Sequence, residues 1–160
     1  MKKITLFVLA LFLLGVSASY SQNKDSSGTK SAGRFDVTRD PESDLAKAIN
    51  EARHSNKKIL IDVGGEWCIW CRKLDKFFEE NSDAAKYMHK HFVVMKVNYS
   101  KENKNEKFLS KYPKITGYPH IFILDKKGAL LKSKDTGELE SGDHHDKGKV
   151  LAFLKEWAKK

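Results

Sequence analysis

The only two cysteines among the 160 residues stand three apart in Trp67-Cys68-Ile69-Trp70-Cys71. There a β-branched run, Ile59-Leu60-Ile61-Asp62-Val63, gives way to a helical pattern. A dithiol on such a strand-to-helix turn can close a disulfide within one helical turn, and the unpaired N–H groups of the helix start favour thiolate over thiol. That is what thiol–disulfide exchange requires. Two other chemistries use a pair this close: an inert structural disulfide, and half of a zinc site that needs further ligands. The flanking context favours exchange.

The N-terminus predicts the compartment. Lys2 and Lys3 precede an apolar run from Ile4 to Val16, and the small residues Ser17, Ala18, Ser19 and Ser21 follow. This is the pattern of a secretory signal peptide over residues 1–21, cleaved after Ser19 or, with more room after the apolar segment, Ser21. The run is too short to span a bilayer, which predicts no stable membrane insertion after cleavage and a periplasmic or secreted protein. The cysteines then face an oxidising space. Residues 22–36 begin as a polar stretch rich in Ser, Lys and Gly and read as a flexible leader. Residues 37–160 suffice for one domain with its own core. The formal charge of +9 includes Lys2 and Lys3. Export argues against a nucleic-acid partner for this basic chain and leaves a solvated face as the simplest use of the excess.

Hydrophobic periodicity outlines the elements. Leu45, Ala48, Ile49 and Ala52 form the stripe of an amphipathic helix from Asp44 to Arg53. Ile59–Val63 reads as a buried strand, and Cys71, Leu74, Phe77 and Phe78 share a helical face that stops at Asn81 and Ser82. Phe92–Val97 is a second strand, and Phe108, Leu109 and Tyr112 mark a third, more exposed helix ending before Pro113. Ile121–Leu124, a turn over Asp125–Gly128, and Ala129–Lys132 predict an antiparallel hairpin. Val150, Phe153, Leu154 and Trp157 close the chain at helical spacing. Strands alternating with helices, then a hairpin and a helix, imply an α/β fold: a central mixed sheet flanked by helices on both faces.

With these residues in view, the chain resembles the thioredoxin family. The likeness is carried by Ile59 to Cys71, with Asp62 six residues before the first cysteine and Glu66-Trp67 directly ahead of it, then by Val94-Met95-Lys96-Val97-Asn98 and Thr116-Gly117-Tyr118-Pro119. It covers most of Asp44 to Lys160 and is nearest to exported single-domain members and to the C-terminal domain of the bacterial transmembrane disulfide reductase. The resemblance implies a thioredoxin-like fold and a redox-active Cys68–Cys71 disulfide. It makes Cys68 the attacking thiolate, exposed at the mouth of the turn, and Cys71 the resolving thiol. It also implies that Asp62, a carboxylate that is costly to desolvate in an apolar strand, helps deprotonate Cys71 with Lys96 nearby. Pro119 becomes the cis-proline beside the disulfide, Tyr118 lends backbone contacts to an extended substrate, and Trp67 and Trp70 form an apolar rim.

The family likeness also implies an exported enzyme that reduces protein disulfides, since Asp62 and Lys96 match reductive members. No cofactor is expected. The implied partners are exported cysteine-containing proteins and a membrane electron relay, with the protein itself a monomer. A metal-binding module using the cysteine pair and a noncatalytic binding domain stapled by the disulfide remain the alternatives. Two departures bear on the site. Gly64-Gly65 stands where thioredoxins carry an aromatic-alanine pair, and Ile69-Trp70 replaces the usual Gly-Pro between the cysteines, which leaves the redox poise unread. His120 fits either a place near the thiolate or a solvent-facing loop. His144 and His145, within Gly142-Asp143-His144-His145-Asp146, read as a solvated insertion rather than a metal site.

Overall fold

The structure, a computed structural model, describes residues 35–159; the apolar segment of residues 1–21 and nearly all of the polar leader lie outside the described residues. Helix α1 (Pro41–Ser55) leads to β1 (Lys58–Gly64), then α2 (Ile69–Glu80), α3 (Ser82–His91), β2 (Phe92–Asn98) and the single turn α4 (Glu106–Leu109). The chain closes with β3 (His120–Leu124), β4 (Leu130–Asp135), a 3-10 turn over Thr136–Leu139, the short pair β5 (Glu140–Ser141) and β6 (His144–His145), and α5 (Lys147–Lys159).

The main sheet has the order β2-β1-β3-β4. β1 pairs with β2 in parallel, Asp62 facing Lys96 in the register, and antiparallel with β3. β3 and β4 form the expected hairpin, whose turn is held by the Asp125 carboxylate accepting from the N–H groups of Lys127 and Ala129, with Gly128 at φ +91°. Side-chain alternation along β1 divides the core. Leu60 joins Leu74, Phe77, Met88, Ile121 and Phe153 on the side covered by α2, α3 and α5. Ile59, Ile61 and Val63 join Ala48, Ala52, Phe108 and Phe122 on the side covered by α1 and α4. The mixed sheet with helices on both faces is therefore as expected, and Asp62 and Gly64 share the α2 face with Leu60.

Two helices differ from expectation. The stretch around Phe108 winds for only four residues, and Tyr112 lies beyond its end, because Asn105 enters in the left-handed region and Pro113 disfavours a helical residue before it. α3 lacks a clear sequence signal because only Ala84 and Met88 are fully buried from it. It starts directly after the stop expected at Asn81, whose side-chain amide donates to the Phe77 carbonyl at 2.8 Å.

Candidate active site

The turn Gly64–Trp67 delivers Cys68 to the N-cap position of α2, in extended backbone geometry. Its Sγ accepts the Cys71 N–H at 3.0 Å, as N-cap side chains do, and the two sulfurs are joined in a disulfide. The Cys68 N–H donates to the Gly65 carbonyl at 3.0 Å, and the Arg72 guanidinium reaches the Glu66 carbonyl at 2.6 Å, bracing the turn from both sides. A sulfur in this position feels the positive end of the helix, which favours its thiolate once the disulfide is reduced.

The sulfurs are less open than expected. Cys68 is 4% exposed and Cys71 1%, so Cys68 lies in the wall of the site rather than at its open mouth. They form a small cluster with Phe35, and the half-buried Trp70 and Tyr118 pack against it. The exposed apolar residues beside them are Trp67 at 54% and Ile69 at 61%. Trp70, packed against the cysteines, is half-buried rather than exposed. The first turn of α2 directs it to β6, where it meets the His145 ring edge to face at 5.6 Å, with the Lys73 ammonium 4.2 Å from its ring centroid.

Trp67 and Tyr118 sit on one side of the turn. The Trp67 indole N–H donates to the Tyr99 carbonyl at 2.6 Å, its ring meets Tyr118 edge on at 5.6 Å, and Tyr118 stacks on Tyr99 at 4.8 Å. Burial, and then Tyr99, push the Tyr118 hydroxyl up to about 12, so it stays protonated at neutral pH. The Tyr118–Pro119 peptide is cis, Pro119 is fully buried, and its carbonyl accepts from the buried Thr136 hydroxyl at 2.6 Å.

Behind the disulfide, Lys96 Nζ donates to Asp62 Oδ2 at 2.9 Å and also to Asp75 Oδ1. Burial opposes the charge on Lys96, but the two carboxylates outweigh it and hold its pKa above the ordinary value. Burial likewise raises Asp75, against the pull of Lys96. Asp62 Oδ1 is buried with no protein partner, an acceptor left free on the face that carries Gly64. A Cβ added at Gly64 would stand 2.5 Å from Cys71 Sγ, so the free oxygen belongs to the residue two positions along the strand from the one that abuts Cys71. The structure thus brings together Cys68, Cys71, Asp62 and Lys96 on one side and Trp67, Tyr118 and Pro119 on the other.

Asp75 escaped the sequence reading although it lies four residues after Cys71, one turn along the same helix. Phe35 carried no signal beyond being an aromatic at the end of a polar stretch. His120 is not in solvent. It is buried on β3, shares the Phe122 face away from Asp62, and contacts the Ser133 hydroxyl through Nε2 at 2.8 Å, while burial lowers its pKa. His144 is exposed and His145 buried, so the two rings part across β6 and only the first is solvated.

A family profile described as thioredoxin-like matches residues 40–126. Among curated proteins, the chain is 26% identical over 95 residues to "Disulfide bond reductase DsbH" of Chlamydia pneumoniae, covering 54% of this chain and 57% of that protein. It is 22% identical over 153 residues to "Thiol:disulfide interchange protein DsbD" of Colwellia psychrerythraea, covering 89% of this chain and 24% of that protein. The chain therefore spans little more than half of the first relative and a quarter of the second. The same fold occurs in a disulphide isomerase from Xylella fastidiosa, with a TM-score of 0.66, 23% identity, and coverage of 76% of this chain and 94% of that one. It occurs also in the oxidised DsbD C-terminal domain of Neisseria meningitidis, with a TM-score of 0.55, 16% identity, and coverage of 78% and 98%.

Proposed function

The chain belongs to the thioredoxin-like family, and from that premise we propose that it is an exported thiol–disulfide oxidoreductase that reduces protein disulfides. One observation carries the reading: Cys68 caps α2 with its sulfur, bonded to Cys71, while the Asp62–Lys96 pair lies on the same face of β1 as Gly64, which abuts Cys71 Sγ. In the reduced protein the Cys68 thiolate attacks one sulfur of a substrate disulfide. A Cys68–substrate bond forms, and the other substrate sulfur leaves as a thiolate with the electron pair. Cys71 then loses its proton, for which Asp62 Oδ1 is a buried, unpartnered acceptor, and attacks Cys68 Sγ. The Cys68–Cys71 bond closes and the second substrate thiol is released. The oxidised form is the product of this cycle. A membrane electron relay and exported cysteine-containing clients are the partners that complete it, in keeping with relatives named for disulfide reduction and interchange. Among the described residues no helix is long and apolar enough to cross a membrane.

Cys71→Ser, expressed in the native host, tests the cycle. It should accumulate Cys68-linked adducts of exported proteins that dithiothreitol releases, and Cys68→Ser should accumulate none. Absence of adducts together with failure of the wild type to reduce insulin would overturn the reading. The burial of both cysteines would then favour the alternative of a noncatalytic module stapled by its disulfide. Equilibration with glutathione tests direction: a potential on the order of −270 mV marks a reductant, one about −120 mV an oxidant.

A further inference from the structure

Phe35 belongs to the polar leader by sequence, yet its ring is 4% exposed and packs with Cys68 and Cys71. Its backbone N–H donates to Glu66 Oε1 at 2.9 Å, which ties it to the turn that carries the cysteines. The Lys96 ammonium lies 4.3 Å from its ring centroid, within range of the attraction between a cation and an aromatic face. A Cβ on Gly64 would meet Phe35 Cζ at 2.9 Å as well as Cys71 Sγ at 2.5 Å, so ring and sulfur flank the same vacant side of the strand. Beyond Phe35 the strap is anchored by the Asn103 amide donating to the Val37 carbonyl at 2.8 Å and by Arg39 pairing with Asp44 at 2.6 Å.

We propose that Phe35 is a positioning residue of the exchange site: an aromatic plug on an N-terminal strap that shuts bulk water out of the space between Cys71 and the Asp62–Lys96 pair. The inference rests on the exchange reading above and assigns a control to its resolving step. When Cys71 gives up its proton and attacks Cys68 Sγ, the transient thiolate forms in a space whose water access this ring limits. A thiolate with little water around it is costly, so the plug sets how readily the resolving thiol ionises. The other charged and titratable groups around that space are Asp62 on β1, Lys96 on β2, Asp75 on α2, Glu66 on the turn and Tyr118 before β3.

The test follows the ultraviolet absorbance of the Cys71 thiolate against pH in the full chain, reduced and carrying Cys68→Ser. Phe35→Ala should move the midpoint down by on the order of one pH unit, as water enters, while Phe35→Leu, which keeps apolar volume, should hold it near the parent value. With Cys68 restored, Phe35→Ala should speed release of a model mixed disulfide about threefold below the midpoint, the gain of about tenfold in thiolate being partly offset because a less basic thiolate is a weaker nucleophile. Glu66→Ala keeps the ring but removes its tether and should move the midpoint in the same direction; it decides alone if Phe35→Ala does not fold. An unmoved midpoint in the folded variants overturns the proposal. The Cys71 titration does not depend on turnover, so its outcome is separate from that of the trapping experiment.

Discussion

His145 is buried against Trp70 and Phe77, and neither ring nitrogen has a hydrogen-bond partner in the protein; Glu140 Oε1 lies 4.0 Å from Nε2. Burial, then the positive Lys73 and neighbouring His144, push its pKa down from 6.5 to about 4. The unfolded chain therefore takes up a proton below 6.5 that the folded chain refuses. The contribution is intact above 6.5 and is lost as pH falls toward 4. Between neutral pH and pH about 4.5 this one residue should remove about 2 kcal/mol of stability. His145→Phe should remove that slope, which urea denaturation at the two pH values measures; parallel losses in both proteins would refute it. From the sequence, two adjacent histidines between aspartates look solvated. Only the pairing of β6 with β5, which turns one ring inward onto α2, separates their fates.

At the scale of elements, β1 is the piece most legible in sequence and the most informative in structure. Its apolar run announces a strand, and Asp62, which interrupts it, faces a cation on the neighbouring strand. Gly64 has a reason that no local pattern carries: Phe35 and Cys71 converge on it from outside the strand. Gly64→Ala should accordingly cost about 2 kcal/mol, the usual penalty for overpacking a filled site, because the nearer neighbour is a disulfide sulfur that cannot swing aside. Thermal or urea denaturation reads this, and a neutral result would mean that the turn yields. The cysteine turn and α2 were legible because helix capping and an apolar stripe are local signals. α3 and the shortened α4 were not, since a helix that buries only one or two side chains leaves little periodicity to read.

Across the whole molecule, charge and chemistry occupy opposite ends of β1. Gly64 ends it at the cysteines, while Lys58 opens it beside Lys57, Lys90, Lys126 and Lys127, with Asp125 the one acidic side chain among the described residues lining the same cleft. Part of the +9 charge is thus concentrated far from the site. His91, within that cleft, has its pKa lowered by burial and then by Lys90, Lys58 and Lys57. Lys90→Glu should raise the His91 midpoint by about half a unit, and added salt should raise it in the parent protein, because Lys90 is exposed, Lys57 and Lys58 are only half-buried, and salt screens such charges. Nuclear magnetic resonance titration of the ring measures both; a midpoint indifferent to salt and to the reversal would leave burial as the sole cause.

By itself, the amino-acid order determined the dithiol on its strand-to-helix turn and the alternation of strands and helices, whereas Asp62 and Lys96 were matched only through the likeness to thioredoxins. The turn and the alternation are written in spacings of a few residues, over which backbone geometry is nearly obligatory. The burial of Cys68, the second carboxylate on Lys96, the inward turn of Trp70 and His145, and the packing of the Phe35 ring against the cysteines were decided only when distant segments packed. Burial is a property of what arrives from elsewhere in the chain, and no local spacing encodes which side chain will fill the room that a glycine leaves.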